Sequence, residues 1–519
     1  MNEILAIDRP AAAPVDGPME IEIKLATNPA MLDALRAHPR LEAPGQRKAH
    51  CSTYFDTAEG ALAAVGASLR LRHRAGACEQ TLKLTTRRKS QIHRSEWNHP
   101  LPPGASAPDM AAFPPLAARA LGGLVGEAPL VPYAEVAVER EVRLVQQGET
   151  QIELAFDHGE IRVPGAASEP VAELELELRD GDLADALALA LELPLGPDLG
   201  WSIATKAQRA QAMASGQVAV PIHASPVPLT PGMSAGRGFA AIGWSCLGQW
   251  LGNAPLVISS GHPGAVHQAR VAIRRLRAAF SLFGRALLAR DPETRALREA
   301  LRAAAQVLGP ARDLHVLRRR VLGHAEPLND AEGQSLMAML AHAEKQATQA
   351  ARAALASAAI QRLPLQVALW LERGAWIAED AAATPLSDLS ASLLQRQRKP
   401  LRGIRHRLAG MSDAALHDLR IDVKKLRYAV DFFAPLAHDP RMARGHEQAL
   451  GGLQDVLGDI HDTAMGHQAL GGQALLALPP AESGRLARVL ASDAIARPRL
   501  IARARQLLTE EKAHAGWWL

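Results

Sequence analysis

Three short runs of this chain place charged residues on one side of an alternating pattern. Glu20, Glu22 and Lys24 alternate with Ile21 and Ile23. Arg70, Arg72 and Arg74 alternate with Leu71 and His73, and Glu173, Glu175 and Glu177 with Leu174 and Leu176. A period of two is the signature of a strand with one apolar and one polar face. On an ordinary sheet the polar faces are solvated and the Leu and Ile residues turn inward. Here several strands repeat the pattern with complementary charge. If they close into a barrel, alternate residues face its lumen. Carboxylates on opposite strands then suit a hard divalent cation such as Mg²⁺ or Mn²⁺. Arginines and lysines on the others suit a polyphosphate, through charge-assisted and often bidentate hydrogen bonds. Both signs of charge in one cavity fit a substrate that is itself a metal–polyanion complex.

These residues lie in a segment, 19–214, written mostly in period two and broken by Gly- and Pro-containing turns. The pattern predicts an antiparallel all-β body, with helical patches near Pro29–His38 and Leu183–Leu191. Residues 1–18 read as a flexible Ala/Pro-rich leader. Residues 215–237 carry four prolines and no helical periodicity, which predicts a linker. Beyond it, residues 238–515 run in Ala/Leu/Arg-rich segments of 3.6 period, as expected for helical bundles.

The helical half is internally duplicated. HQARVAIRRLRAAFSLF from His267 matches HDLRIDVKKLRYAVDFF from His417, and QVLGPARD (306–313) matches DVLGDIHD (455–462). Two motif pairs at nearly one offset predict two helical repeats, about 238–390 and 391–515. In the first repeat His267, Arg270, Arg274 and Arg277 share a helical face. In the second, His417, Arg420, Lys424 and Arg427 do the same. One such stripe would read as a solvated face. Two in register, each with a His at the same place, predict a polyanion surface. From His262 through Arg290 there are six Arg and no Asp or Glu, so acidic neighbours or an anionic partner are required. The stripes carry no interleaved aromatics for base stacking, which argues against nucleic acid.

The totals set bounds. At 519 residues the chain is long enough for two or more domains, and 48% hydrophobic with 22% charged residues is the balance of a soluble globular protein. Three widely spaced cysteines give neither a zinc pattern nor a disulfide framework. No export signal and no run of about 18 apolar residues is found, so the expectation is a cytoplasmic protein with no membrane span.

The β half resembles the CYTH, or triphosphate tunnel metalloenzyme, superfamily. The resemblance rests on Glu20-Ile21-Glu22-Ile23-Lys24, on Tyr54-Phe55-Asp56-Thr57 and on Leu69-Arg70-Leu71-Arg72. Thr81-Leu82-Lys83, Arg94-Ser95-Glu96-Trp97 and Glu139-Arg140 follow, with Arg143 a competing candidate for the last. Asp157-x-x-Glu160, the ELELEL run at 173–178 and the segment from Ser202 to Lys206 complete it. The resemblance implies that Glu20, Glu22, Glu173 and Glu175 bind metal. It implies that Lys24, Arg70, Arg72, Lys83, Arg94, Arg140 and Lys206 serve the phosphates. Asp157 either binds metal or orients a basic residue, and the place of Glu177 is open. The implied chemistry is attack of water on a terminal phosphorus, with Glu20, Glu22 and Lys24 at the reacting centre and either Lys24 or a neighbouring carboxylate orienting the water.

The helical half resembles a CHAD domain, on HxxRVxxRRLR at 267–277, LGxxRD at 308–313, HxxRxxxKKLRY at 417–428 and LGDIHD at 457–462. That resemblance implies two duplicated four-helix bundles that bind inorganic polyphosphate. The expected fold class is therefore multidomain α+β, a tunnel-like antiparallel barrel with flanking helices followed by an all-α domain. The expected function is hydrolysis of inorganic triphosphate to diphosphate and phosphate. The alternatives are an adenylate cyclase of the same tunnel family and a non-catalytic polyphosphate-binding protein. The first repeat has Arg312 where the second has His461, so the two repeats need not bind equally. Asp313 and Asp462 are candidates for internal pairing with the stripes.

Overall fold

The computed structural model describes residues 17–74, 76–85, 92–323, 330–465, 479–484, 486 and 497–518, with 85 and 461–465 described by backbone only. Residues up to Val220 form one compact unit together with Ser357–Glu372. Pro221–Ala356 and Arg373–Leu519 form a second.

In the first unit nine strands follow in antiparallel order: β1 (Met19–Thr27), β2 (Gly45–Asp56), β3 (Ser68–Arg74), β4 (Ala77–Thr85), β5 (His93–Leu101), β6 (Val131–Gln147), β7 (Thr150–Arg162), β8 (Glu169–Asp180) and β9 (Leu199–Ser202). The sheet runs β5-β4-β3-β2-β6-β7-β8-β1-β9, and β1 also pairs β5 through Met19–Ile21. That last pairing closes eight strands into a barrel. β9 adds to the far part of β1, along Lys24–Thr27.

The apolar half of each alternation faces outward and is covered by helices. Leu69, Leu71, Leu82 and Trp97 pack with Ala117, Leu121 and Val125 of α2 (Pro115–Val125). Helices α1 (Pro29–Arg36) and α3 (Leu183–Glu192) fall where the period changes from two to 3.6, and their leucines Leu32, Leu35 and Leu187 are buried. The inward face is not polar throughout. Val136 and Val138 share the inward parity of Arg140 on β6, and there they meet Ala207 and Ala210 of α4 (Lys206–Ser215). At this end of the barrel a helix fills the lumen, and further along β6 the lumen is lined by Arg140, Val142 and Leu144. Gly159 on β7 lies close against the backbone of β6, and a Cβ there would lie 2.0 Å from the Ala137 carbonyl oxygen.

The second unit is helical, with α5 (Ala235–Ser260), α6 (Pro263–Phe283), α7 (Thr294–Val307), α8 (Gly309–Leu322) and α9 (Ala331–Ala356). After α10 (Ala358–Arg373), which is grouped almost whole with the barrel, come α11 (Asp380–Ala383), α12 (Leu386–Arg398), α13 (Ile404–Arg407), α14 (Asp413–Phe433), α15 (Pro440–Met465) and α16 (Arg497–His514). The duplicated motifs open on α6 and α14, which pack together. Phe283 meets its repeat counterpart Phe433 edge-on at 6.0 Å, and buried Arg275 of α6 pairs with Asp431 of α14 at 3.1 Å. Among the described residues no single helix is long and apolar enough to cross a membrane.

Candidate functional site

The barrel encloses a cavity of about 960 Å³ whose wall is charged on nearly every side. Each of the eight barrel strands contributes through its inward parity, so strand register sets which charges meet. Glu22 lies across from Glu177 and Lys24 across from Glu175, whereas Glu173 faces Ala26. Lys83 sits opposite Glu96, and Arg70 opposite Tyr54 and Thr81.

One wall is basic, and at Arg72 it is undercompensated. Arg70 and Arg72 are not in an ion pair among the described residues, and the Nε atoms of both are buried without a hydrogen-bond partner, but while burial opposes the charge of Arg70, Tyr54 and Glu96 raise its pKa. Burial, reinforced by Arg70, Arg140 and Arg74, pushes Arg72 down to about 9. His50 lines the same wall, and burial together with Arg72 and Arg140 lowers it to about 3, so its imidazole is neutral. A buried donor with no acceptor is costly, and an anion relieves it.

The opposing wall is acidic. Burial raises Glu20 to about 7 against the pull of Lys83, with Glu22 adding to the rise. Glu177 goes to about 8, from burial and from the neighbouring charges of Glu20, Glu153 and Glu22, despite Arg179 at 2.6 Å. Carboxylates held this far up need positive charge beside them. Their donor set is oxygen alone, so the group they fit is a hard divalent cation such as Mg²⁺ or Mn²⁺. Lys83 bridges the walls, 2.7 Å from Glu20 and 2.8 Å from Glu96. Burial opposes the charge of Glu96, but Lys83 and Arg70 hold its carboxyl well below the usual range. Lys24 sits 3.2 Å from Glu22 and 3.4 Å from Glu175.

Between the walls lies a buried ionic knot. Asp157, fully buried, binds Arg140 through both oxygens at 2.6 Å and Lys206 at 2.7 Å. Lys206 also contacts Glu173 and, at 2.8 Å, Glu175. It is the first residue of α4, between the two members of the Thr205–Gln208 capping box, and its ammonium reaches the buried carboxylates from the helix start. Burial works against its charge, but the three carboxylates hold it protonated well above the usual lysine range. Asp157, Glu173 and Glu175 present oxygens within 4.8 Å of one another. The Lys206 ammonium already supplies positive charge to that group.

The expected residues thus fall into two sets. Glu20, Glu22, Lys24, Arg70, Arg72, Lys83, Arg94, Arg140, Glu175 and Lys206 all line the cavity. Asp157 and Glu173 do not, and stand behind Arg140 and Lys206, while Glu177, left open by the sequence, lines the lumen. Arg143, the alternative to Arg140, turns outward onto Glu141 and the carbonyls of Arg36 and Leu41. Glu153, Arg179 and His50 were missed. Their signal was inward parity on β7, β8 and β2, readable only once the register is known.

In the helical unit, His267, Arg270, Arg274 and Arg277 lie half-buried along one face of α6. Burial lowers His267 to about 4, and Arg312 of α8 and Arg274 add to the fall. His267 Nδ1 and Arg274 Nε are buried without a partner, and Arg270 donates to the Ala305 carbonyl at 3.1 Å. The Asp313 carboxylate faces Arg270 and Arg312. In the second repeat Arg427 donates to Gln454 at 3.0 Å and Arg420 Nε is unpaired, while His417 and Lys424 both have partners. The side chains of His461 and Asp462 lie outside the described residues. The motif glycines face the stripes in both copies. A Cβ on Gly309 would come within 2.7 Å of Arg270, and one on Gly458 within 3.9 Å of Arg420.

Comparison with known proteins agrees with this division. Residues 18–210 match the family model of the CYTH domain, and residues 241–471 that of the CHAD domain. An inorganic triphosphatase of Haemophilus influenzae is 30% identical over 209 residues, covering 38% of this chain and 56% of that protein. The chain therefore spans about half the length of this curated relative. Among solved structures, a CHAD domain from the plant Ricinus communis is 27% identical, covering 56% of this chain and 96% of its own, with a TM-score of 0.47. A putative adenylyl cyclase from Hippeastrum, described as having a dominant triphosphatase activity, is 20% identical over 38% of this chain and 97% of its own, with a TM-score of 0.29.

Proposed function

We propose that this chain, which joins a CYTH domain to a CHAD domain, hydrolyses inorganic triphosphate to diphosphate and phosphate in the barrel and binds inorganic polyphosphate on its helical unit. The observation that carries the reading is the cavity's opposed charge. Arg72 lacks an anion and the Nε atoms of Arg70 and Arg72 lack an acceptor, while Glu20 and Glu177 lack a cation, within one lumen. A metal–triphosphate complex supplies both.

Arg70, Arg72 and Arg140 hold the phosphate chain through guanidinium N–H donors, and Lys83 and Lys206 add charge along it. Asp157 positions Arg140 and Lys206 rather than meeting the substrate. Glu20, Glu22, Glu175 and Glu177 would hold Mg²⁺ or Mn²⁺, which when bound neutralises phosphate oxygens and lowers the pKa of water. Lys24, fixed between Glu22 and Glu175, directs its ammonium at the reacting end of the chain. Water attacks the terminal phosphorus, the anhydride P–O bond breaks, and diphosphate leaves with its charge spread over the basic wall.

The test is phosphate release from tripolyphosphate with Mg²⁺ or Mn²⁺, run beside ATP and long-chain polyphosphate. Fast metal-dependent release that is lost in Glu22→Ala supports the reading. Absence of release sinks it, and cyclic AMP from ATP would substitute the cyclase reading.

A further inference from the structure

An arginine closes the C-terminal end of one helix in each unit. Arg352 of α9 donates to the carbonyls of Ile258 and Ser259 at the end of α5, both at 2.8 Å. Arg362 of α10 donates to the carbonyls of Leu191 and Leu193 at the end of α3, at 2.6 and 3.5 Å. A guanidinium placed there meets carbonyls that the helix leaves without a partner and opposes the negative end of its dipole. The first contact lies inside the helical unit. The second ties α3 to a helix that is grouped with the barrel although it falls within residues 241–471, the stretch matched to the CHAD domain.

Arg362 shares the first-turn face of α10 with Ala358 and Gln361, at i, i+3 and i+4. All three rest on one stretch of the barrel unit. A Cβ on Gly196 would lie 3.9 Å from the Ala358 Cβ, and one on Gly200 would collide with the Gln361 side chain. Between these glycines the chain turns through the Gly196–Leu199 bridge and enters β9. That strand has four residues, and among the described residues it pairs with β1 alone. An edge this short holds its place poorly by its own ladder. Its position matters to the lumen all the same, because Lys206 opens α4 four residues after Ser202, the last of the strand. Lys24 depends on β9 less. Its strand is held from the other side by β8, where Lys24 lies across from Glu175.

We infer that α10 is a working part of the catalytic barrel, with Arg362 and Gln361 as positioning residues that hold β9 and, through it, the Lys206 ammonium against the phosphate chain. This rests on the proposed hydrolysis of triphosphate and adds that the site depends on a helix encoded in the helical half. A cation that grips substrate and transition state alike sets KM more than kcat, so a loosened β9 should be read in KM.

The test uses the full chain. Arg362→Met removes both donors and keeps the stem, Arg362→Lys keeps a donor and the charge, and Arg352→Met makes the same cut inside the helical unit. Arg362→Met is expected to raise KM for tripolyphosphate about five- to tenfold while kcat falls less than about threefold, with most of the loss recovered in Arg362→Lys. Arg352→Met should leave both constants within about twofold. Hydrogen exchange at residues 199–206 reads the clamp apart from turnover, and should quicken in Arg362→Met but not in Arg352→Met. Gln361→Ala leaves the α3 carbonyls capped and should quicken the same amides, which keeps the test open if Arg362→Met does not fold. Unchanged exchange at 199–206, or a fall in kcat at constant KM as from a smaller folded fraction, overturns the proposal. Quickened exchange in a chain whose parent never releases phosphate from tripolyphosphate upholds the clamp on β9 and overturns the function on which its purpose rests.

Discussion

Replacing Arg72 by Met should make the empty barrel more stable while disabling it. Arg72 is 7% exposed, has no ion pair among the described residues, and shares its wall with Arg70, Arg74 and Arg140. Its fall from 12.5 to about 9 is roughly 3.5 pH units. At about 1.4 kcal/mol per unit this sets a ceiling near 5 kcal/mol on the cost of keeping the guanidinium charged in the empty fold. Water in the lumen screens part of that, so a gain of about 1–3 kcal/mol is expected from removing the charge and keeping the stem's volume. For a unit of this size each kcal/mol is worth about 2–4 °C. Thermal melting in chelator, without phosphate, should therefore show the barrel transition rising by several degrees. Tripolyphosphate should raise the parent's melting temperature more than the variant's. Triphosphate turnover should fall about 10²–10³-fold, the usual loss for a donor aimed at developing charge. A variant that melts earlier than the parent and keeps its turnover would refute the reasoning, because Arg72 would then be a structural cation with a partner.

Asp157→Asn acts in the opposite sense. It leaves Arg140 and Lys206 buried with one fewer carboxylate and should cost about 3–5 kcal/mol, seen as an earlier barrel transition that added Mg²⁺ does not restore. Glu177→Gln tests the acidic wall through pH. The folded carboxyl at about 8 lies above its unfolded value, so its contribution is complete below about pH 4.5 and is lost as pH rises through 8. The metal-free parent should lose about 1–3 kcal/mol over that window and the Gln variant less, with divalent cation closing the gap at the alkaline end; parallel melting curves against pH would count against it. Gly309→Ala places a Cβ 2.7 Å from the flexible end of Arg270. It should cost less than about 1 kcal/mol in melting, yet weaken polyphosphate binding severalfold by moving that guanidinium, and unchanged binding would show that Arg270 is not in the grip.

The barrel was legible in the sequence because its inner face is charged. In a strand such as ELELEL the alternation survives burial on both sides, since the lumen is lined by charged side chains rather than filled by apolar ones. Where the lumen is filled, the same rule gave no signal. Val136 and Val138 look like ordinary core, and only α4 packed against them explains why an inward face turns apolar midway along β6. Strand β2 hid its contribution for the reverse reason. Gln46, Lys48 and His50 face the cavity, but Arg47 and Cys51 on the other side are also polar or half-exposed, so no alternation marks His50. The attachment of α10 to the barrel unit was out of reach of periodicity. It rests on contacts such as Arg362 to the carbonyl of Leu191 at 2.6 Å, between residues 171 apart.

Register and burial, which a motif does not carry, bear on the alternatives the sequence leaves open. Asp157 is open to metal or to a basic residue by motif, and zero exposure with a two-oxygen grip on Arg140 supports the second reading. Glu173 and Glu177 are equivalent in the ELELEL repeat. Pairing with β1 separates them, because Glu177 falls opposite Glu22 and Glu173 opposite Ala26, beyond Lys24. The same carboxylate chemistry thereby serves two ends. Glu173 is matched by Lys206, whereas Glu177 is left without enough positive charge beside it, which is why the proposed metal set includes Glu177 and not Glu173. A motif states which residue types are present, and the register decides which of them are already neutralised. In this barrel the residues left unneutralised, on both walls, are the ones a metal–triphosphate complex would satisfy.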